Sequence, residues 1–330
     1  MEVGSSEWVP ITDETSVGEA RRKALLVAQR LHFDETRSGE LALLATEASR
    51  NTLIHGGGGE IVISAMHDDL HALARIVAMD QGAGIANIAQ AMSDGYSTAG
   101  TMGAGMGAMK RIATVLDVFT GKHGTVVLLE MGDGARPSQL RIAGLAVPYP
   151  GERFCGDAWA FHQTGDRMVV LLADGLGHGR DAAEAANEAV ATFHKRRDLA
   201  PAEILGYLHD SLKKTRGAVA AVAEIRPGEG FLSYAGVGNI SASVLAGNSS
   251  RSLVSHNGTL GMITARIQEF RLPWTSESLL VLHSDGLHSK WDLLSYAGLV
   301  SRHPAIIAAT LLRDFRRRRD DASVVVVKAA

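Results

Sequence analysis

Four aspartates in the second half of the chain lie at the ends of strand-like runs, where carboxylates can bind a metal ion. Asp174 ends an apolar run and leads into a glycine-rich turn, and Asp285 ends a second apolar run in the same way. Asp157 opens another such run, and Asp320 precedes the last one. Clustered carboxylates repel one another unless a cation neutralises them, and their oxygens suit Mg²⁺ or Mn²⁺. Asp-Gly pairs are also ordinary turn formers, but four such aspartates favour a metal site.

The first half carries a second set of polar residues with a regular spacing. Glu47, Asn51 and His55 are four residues apart in a predicted helix, so all three share one face. That stripe is equally consistent with the solvent side of the helix. Asp80 follows a buried-strand pattern and precedes a Gly-x-Gly, so it could accept a hydrogen bond from a buried ligand that the backbone approaches closely.

Residues 94–107 form an unusual stretch of small residues and glycines that leads into a predicted helix at Ala108. The backbone N–H groups of such a loop, together with a helix N-terminus, can hold phosphate oxygens. A glycine-rich loop alone is weak evidence, because flexible loops often serve without phosphate.

Taken together, the polar helix face, the DxGxG at 80–84 and the segment GTMGAGMG at 100–107 resemble the Bergerat (GHKL) ATP-binding fold. The resemblance covers about residues 11–130, and within the fold it is strongest to the small switch kinases of the RsbW and RsbT type. It implies that ATP is the cofactor and that Glu47 is the general base that deprotonates a substrate hydroxyl. It also implies nucleotide roles for further residues: Asn51 for Mg²⁺, Asp80 for the adenine amine, Gly82 and Gly84 for the adenine pocket, and Gly103, Gly105 and Gly107 for closing over the phosphates.

The series GD at 156–157, ADGLGHG at 173–179, YAGVGN at 234–239, SDGL at 284–287 and DDAS at 320–323 resembles the PP2C superfamily of metal-dependent Ser/Thr phosphatases. Within that superfamily it is most similar to the bacterial SpoIIE and RsbX type. The resemblance implies that Asp174 bridges two metal ions, Mg²⁺ or Mn²⁺, and that the Gly175 carbonyl binds one of them. Asp157, Asp285 and Asp320 complete the ligand set. Many relatives carry GGD followed shortly by another acid where this chain has CGDAW, so the number of metal ions stays open.

Two other polar residues near these motifs have more than one interpretation. His178 could protonate the leaving serine oxygen, although a histidine in a glycine turn is more often an exposed polar residue. Asn239 could fix a loop or contact a substrate, and the loop role is favoured.

The spacing of apolar and polar residues predicts two α/β (α+β) domains. Helices are expected near 16–31, 34–55, 179–196, 201–215, 290–297 and 303–314, with strands between most of them. By resemblance, residues 1–132 form a GHKL α/β sandwich and residues 140–330 a PP2C-like α-β-β-α sandwich. The segment 133–139 is predicted to be a linker, because it is short and rich in glycine, proline and polar residues.

Composition limits the classes of partner. The net charge of the 330 residues is −3, which offers no electrostatic case for nucleic acid or an anionic membrane. A single cysteine excludes an internal disulfide and fits a reducing compartment. No long apolar run and no signal pattern is present, so we expect a cytoplasmic protein.

These features predict an ATP-dependent Ser/Thr protein kinase fused to a metal-dependent phosphoserine/phosphothreonine phosphatase. The resemblance implies a small STAS-domain antagonist as the substrate, in signalling to a sigma factor or a related output; a homodimer is possible. Two alternatives stay open. The first half could be an ATP-binding sensor or a sequestering, anti-sigma-like module with the phosphatase as the only enzyme, or the second half could be an inactive scaffold.

Overall fold

The computed structural model describes residues 2–67, 72–91, 105–132, 139–247, 249–263 and 266–330. The chain folds into two compact units. The first contains Val3–Arg136 and also Gly298–Asp314, and the second contains Pro137–Ala297 and Phe315–Ala330. Among the described helices, none has the length and apolarity needed to cross a lipid bilayer.

The first unit is built on one five-stranded sheet with the order β1-β2-β3-β5-β4. Its strands are β1 Glu2–Ile11, β2 Gly59–His67, β3 Ala72–Asp80, β4 Val115–Gly121 and β5 Gly124–Gly132. Its helices are α1 Glu14–Arg30, α2 Glu35–Gly56, the short α3 Ile88–Ala91 and α4 Gly105–Ile112. Asp13 caps α1 by accepting a hydrogen bond from the Ser16 amide at 2.9 Å, and Asp34 caps α2 in the same way. The predicted helices and strands of this half are therefore present, with ends shifted by at most a few residues.

One face of this sheet packs against helices, and alternate residues along each strand form that core. Ile61, Ile76 and Leu129 belong to the core cluster that also contains residues of α1 and α2. The residues between them point to the opposite face, yet Val77 and Leu128 are also fully buried. Both faces of the central strands are thus covered, which explains why β3 and β5 read as almost continuous apolar runs.

The second unit contains two five-stranded sheets, with the orders β13-β10-β9-β8-β7 and β12-β11-β14-β15-β6. The strands are β6 Leu140–Val147, β7 Asp157–Thr164, β8 Arg167–Gly175, β9 Ala218–Arg226, β10 Phe231–Val237, β11 Ser241–Ala246, β12 Ser249–Leu253, β13 Glu269–Pro273, β14 Ser278–His283 and β15 Ala322–Ala329. Helices α5 Arg180–Arg196 and α6 Pro201–Ser211 share a buried cluster with β7 to β10. The neighbouring strands of both sheets pair antiparallel. Short turns join β7 to β8, β9 to β10 and β11 to β12, whereas β8 and β9 are separated by α5 and α6.

Two predicted helices near the C-terminus have different outcomes. The helix expected at 290–297 is wrong: the structure has only a 3₁₀ turn at Leu293–Ser295, where the Asp292 carboxylate accepts a hydrogen bond from the Leu294 amide at 2.9 Å. That local bond satisfies the backbone without a helix. The helix expected at 303–314 is confirmed as α7, Pro304–Phe315.

Candidate functional site

The acidic site begins with two aspartates that face each other across a strand pair. Asp157 on β7 is the register partner of Asp174 on β8, so the two side chains lie on the same face at the same end of the sheet. The Gly175 amide donates a hydrogen bond to the Gly156 carbonyl at 3.0 Å and closes this end of the ladder. A Cβ on Gly175 would overlap the Ala182 carbonyl, so only glycine fits where the backbone turns into α5.

Hydrogen bonds made by two serines link the second sheet, which carries the other acids, to Asp157. Ser323 Oγ donates to Asp157 Oδ2 at 2.7 Å, and the Ser323 amide donates to Ser284 Oγ at 3.0 Å. Ser284 and Asp285 directly follow β14, and the Asp320-Asp321 pair directly precedes β15, which contains Ser323. The hydrogen bonds therefore connect the acid-bearing ends of β7, β14 and β15.

Burial and repulsion between neighbouring carboxylates raise the pKa values of four aspartates in this cluster. Burial, followed by the charges of Asp157, Asp285, Asp320 and Asp321, raises the pKa of Asp174 to about 10. Burial is also the largest cause that raises the pKa of Asp157 to about 7. The pKa values of Asp320 and Asp321 are raised for the same reason. Each of these four carboxyls is thus affected by burial and by the charge of at least one neighbouring acid.

Two oxygens of the cluster are suited to bind a cation. Asp157 Oδ1 and Asp321 Oδ2 are buried, and within the described residues neither accepts a hydrogen bond. Hard carboxylate oxygens of this kind fit Mg²⁺ or Mn²⁺. In the part of the chain that the structure describes, however, no group of three or more His, Cys, Asp and Glu side chains is arranged to hold a metal ion as it stands. The metal-ligand set therefore remains a prediction.

Neighbouring polar residues have defined partners. Asn239 Nδ2 donates to Asp285 Oδ2 at 2.7 Å, so this residue of the YAGVGN motif holds an acid of the cluster. His283 is buried between the Ser284 carbonyl and the indole N–H of Trp291, which donates to its Nε2 at 3.2 Å, so its role is packing. His178 pairs with Glu152 at 3.0 Å. Sequence patterns could not reveal the Asn239–Asp285 contact, because 46 residues separate the two.

In the first unit, α2 presents Glu47 and Asn51 on one half-buried face, and β3 ends on Asp80. Asp80 Oδ1 accepts hydrogen bonds from the Gly82 amide at 2.9 Å and from the Thr125 amide at 3.0 Å. Its Oδ2 has no hydrogen bond within the described residues and can accept one from a ligand amine. Burial raises the pKa of Asp80. Thr125 could not be identified from the sequence, because it contributes its backbone amide, and almost every residue type has one.

The glycines around Asp80 hold the backbone close to it. A Cβ on Gly82 would lie 2.7 Å from the His55 carbonyl. Gly84 has a φ of 78°, and a Cβ there would lie 2.5 Å from the Gly121 carbonyl. Both positions therefore need glycine, which agrees with a pocket shaped by backbone. Gly105 and Gly107 lie in the first turn of α4, whereas Gly103 is outside the described residues.

Comparison with known proteins finds two family models along the chain. Residues 164–330, half of the chain, match stage II sporulation protein E (SpoIIE), and residues 10–131 match the histidine kinase-like ATPase domain. The serine/threonine-protein kinase RsbT of Bacillus subtilis is 35% identical over 104 residues, which cover 32% of this chain and 78% of RsbT.

Solved structures show the same relationships at the level of the fold. A chain from the study of the bacterial stressosome as a modular system that controls secondary messenger signalling is 26% identical with a TM-score of 0.54, and covers 58% of this chain and 100% of its own. RsbX in complex with magnesium has 18% identity and a TM-score of 0.53, and covers 66% of this chain and all of its own. The RsbU and RsbW domains of Rv1364c from Mycobacterium tuberculosis have 17% identity and a TM-score of 0.50, and cover 58% and 61%. The two-domain α/β fold class predicted from the sequence is confirmed.

Proposed function

We propose, on the premise that this chain belongs to the SpoIIE family over residues 164–330 and to the family of the kinase RsbT over its first part, that it catalyses two opposed reactions. The first unit transfers the γ-phosphoryl group of ATP to a serine or threonine of a partner protein. The second part hydrolyses a phosphoserine or phosphothreonine with the help of divalent metal ions.

The acids of the second unit hold the metal ions in this proposal. Asp157, Asp174, Asp285 and Asp320 supply carboxylate oxygens, and Gly175 supplies its carbonyl. A divalent cation at this place supplies a nucleophilic water near neutral pH. The chain orients its own ligands: Ser323 holds one oxygen of Asp157, so that the unpaired Oδ1 faces the site. Such outer hydrogen bonds fix the direction in which a ligand oxygen points.

The first unit positions ATP and the substrate hydroxyl. Asp80 Oδ2 accepts from the adenine amine, while Gly82 and Gly84 bring the backbone against the base. Asn51 contributes an oxygen to Mg²⁺, and the Gly103, Gly105 and Gly107 amides close over the phosphates. Glu47, one helical turn before Asn51, takes the hydroxyl proton. A carboxylate is a weak base, so positioning and charge stabilisation carry most of the catalysis.

The observation that supports the phosphatase assignment best is the convergence of the aspartates, four of which have raised pKa values. Asp174→Asn is expected to reduce Mn²⁺-dependent hydrolysis of a phosphoserine peptide by about a hundredfold or more, because ligand geometry controls activity at least as strongly as outer contacts do. Asp210→Asn is the matched control, since Asp210 pairs with Lys213 on the surface. Full hydrolysis by the Asp174 variant would refute the assignment and favour an inactive scaffold.

The kinase assignment is tested by replacing Glu47, the proposed general base. Glu47→Gln should abolish transfer from γ-labelled ATP and leave nucleotide affinity nearly unchanged, because the amide keeps the shape and loses the proton acceptor. Glu40→Gln in the same helix is the control. Persistent transfer by the Glu47 variant would remove Glu47 as the base.

The partner is proposed to be a STAS-domain antagonist protein in sigma-factor or related signalling. A protein partner is supported by the similarity to the serine/threonine-protein kinase RsbT and to a chain of the bacterial stressosome, and the STAS class rests on the family resemblance. Incubation with γ-labelled ATP and a panel of purified STAS proteins tests it, and transfer to none of them contradicts it. The alternative, an ATP-binding sensor or sequestering module with the phosphatase as the only enzyme, predicts nucleotide binding without transfer to any substrate.

A further inference from the structure

Arg216 lies beside the acid-bearing end of β8 in the second unit. Gly175, the last residue of β8, pairs with Ala218, the first residue of β9, and Arg216 precedes that residue by two positions. The Leu176 amide also donates a hydrogen bond to the Gly217 carbonyl at 3.1 Å. The backbone that carries Arg216 is therefore fixed against the glycine-rich turn that follows the acids of β8.

The guanidinium of Arg216 lies against this turn. Gly177 has a φ of 83°, and a Cβ on it would lie 3.3 Å from Arg216 Nη1. Glycine adopts this backbone angle without strain, and its missing side chain leaves room for the guanidinium. Gly177 follows Gly175, a proposed metal ligand, by two residues. The charged end of Arg216 is thus next to the segment that supplies part of the metal site.

The partner that holds Arg216 is a surface carboxylate. Arg216 Nη2 pairs with Asp181 Oδ2 at 2.8 Å, and the two side chains are 52% and 58% exposed. Exposed ion pairs contribute little to stability, because water screens both charges. The pair can therefore open at little cost to the fold. The guanidinium, which has five N–H donors, can then bind another acceptor.

A phosphorylated substrate brings a group that the acids of the site cannot bind by themselves. A phosphoserine has a charge of about −1.5 to −2 at neutral pH and three oxygens that accept hydrogen bonds. Ionised carboxylates only accept hydrogen bonds, so they repel this group and donate nothing to it. A guanidinium stays charged and donates two parallel N–H bonds to a phosphate. Arg216 brings this chemistry to the edge of the site.

We propose that Arg216 binds the phosphoryl group of the substrate, and that it exchanges Asp181 for two phosphoryl oxygens when a phosphoserine or phosphothreonine enters. This inference rests on the proposed function of the second unit, and it assigns the residue that recognises the phosphoryl group. Asp181 competes with the phosphoryl group for the same guanidinium. Removal of Asp181 therefore strengthens phosphate binding, whereas in a purely structural pair the loss of either partner would weaken it.

Binding of inorganic phosphate to the Mg²⁺-loaded full chain tests this role without catalysis. Titration calorimetry compares the wild type with variants, and the phosphate binding that remains in Asp174→Asn is subtracted, because it reports sites elsewhere in the chain. Arg216→Ala should weaken phosphate binding about 10- to 100-fold, as the loss of a charged hydrogen-bond donor does. Asp181→Asn should tighten it about two- to fivefold, because an exposed ion pair no longer has to open.

Three further variants separate a direct contact from a general change of charge. Arg180→Ala removes the same charge from an exposed pair with Glu184 in α5, and it should leave phosphate binding at the wild-type value. The double variant Arg216→Ala with Asp181→Asn should bind phosphate no better than Arg216→Ala, because Asp181 acts through Arg216. Arg216→Lys should bind more weakly than the wild type, since an ammonium lacks the paired donors.

The outcomes distinguish this inference from the proposed function. A wild type that binds no Mg²⁺ in the same calorimeter would overturn the metal site itself. A wild type that binds Mg²⁺ but no phosphate, or Arg216→Ala that binds phosphate as the wild type does, overturns the role of Arg216. Equal weakening by Arg180→Ala, or any weakening by Asp181→Asn, also overturns it. If Arg216→Ala does not fold, Arg216→Lys decides the question, because it keeps a charge opposite Asp181.

Discussion

The aspartates of the acidic site are side chains whose usual ionisation is opposed by their surroundings. Asp157 and Asp174 have pKa values of about 7 and about 10, raised first by burial and then by their acidic neighbours. In the unfolded chain both return to about 4. At pH values between about 4 and these raised pKa values, the folded state therefore holds protons that the unfolded state has released.

A dependence of stability on pH follows from this difference. The native state binds more protons than the unfolded state at Asp157 from about pH 4 to about pH 7 and at Asp174 from about pH 4 to about pH 10. Stability therefore falls as pH rises, by up to about 1.4 kcal/mol per pH unit for each group within its own range. This sign is opposite to that of an aspartate in a salt bridge. Thermal unfolding in EDTA between pH 5 and pH 9 should show the fall, and the double variant Asp157→Asn with Asp174→Asn should flatten it. Saturating Mn²⁺ should also flatten it, because bound carboxylates stay ionised. A midpoint that rises with pH in EDTA would contradict the clustering.

Asn239 gives a second prediction at the same scale. Its side chain donates to Asp285 Oδ2 at 2.7 Å, so Oδ1 is the Asp285 oxygen that stays available for a metal ion in the proposed ligand set. Asn239→Ala should weaken Mn²⁺ affinity by about 10–100-fold, as loss of an outer contact to a metal ligand does. Isothermal titration with Mn²⁺ measures the change. Asn187→Ala on the exposed side of α5 is the control, and unchanged affinity in the Asn239 variant would assign the residue to its loop alone.

The sequence identified the acids better than it distinguished between them. Of the pair Asp320-Asp321, the resemblance selects Asp320 as the metal ligand, and burial raises the pKa of its carboxyl. Asp321 is the more buried of the two: its Oδ1 accepts from the Tyr149 amide at 2.8 Å, and its Oδ2 is unpaired within the described residues. Neighbouring residues in a chain differ in burial by their backbone direction, which residue type does not encode.

Among the elements, strands and amphipathic helices were predictable because their apolar spacing matches a single buried face. The helix α7 was predictable as a helix, but its packing was not. Its run of apolar residues, AIIAATLL, has no polar side from which a facing direction could be read. The failed helix at 290–297 has the opposite cause: a local Asp292 cap and exposed side chains left no apolar face to bury.

A buried ion pair between β3 and β5 supports a prediction about stability. Arg75 and Glu130 form an ion pair at 2.7 Å with side chains only 6% and 9% exposed. Glu130→Ala should cost about 3–5 kcal/mol, since it removes one partner of a buried ion pair. The control is the double change Arg75→Leu with Glu130→Leu, which removes both charges and should cost much less. Urea unfolding followed by circular dichroism compares the three proteins. Equal losses in the single and double variants would mean that packing, and not charge, dominates at this place.

For the molecule as a whole, the domain boundary expected from the sequence differs from the division seen in the fold. Sequence patterns predict that the first domain ends at 132, because the glycine- and proline-rich segment 133–139 follows. The folded chain adds Gly298–Asp314 to the first unit. No local pattern could reveal this, because the added segment is more than 160 residues away along the chain. Two residues of this segment, Arg302 and His303, contact Asp117 and Glu130 on the sheet of the first unit.

A fragment that ends at residue 139 should therefore be incomplete. It lacks Gly298–Asp314, whose Arg302 and His303 contact Asp117 and Glu130 on the outer sheet face, so we expect that face to become more exposed to water. Each large apolar side chain contributes roughly 1.5–3 kcal/mol when buried, and a continuous open apolar face promotes association. We expect the fragment to aggregate and to bind the dye ANS, whereas the full chain does neither. Leu128→Lys separates this explanation from simple misfolding. The change should make the fragment more soluble, because it places a charge on an open face. It should destabilise the full chain, because Leu128 is fully buried there and the charge would be buried with it. A fragment that is monomeric without the substitution would show that the ATPase sheet is complete without α7.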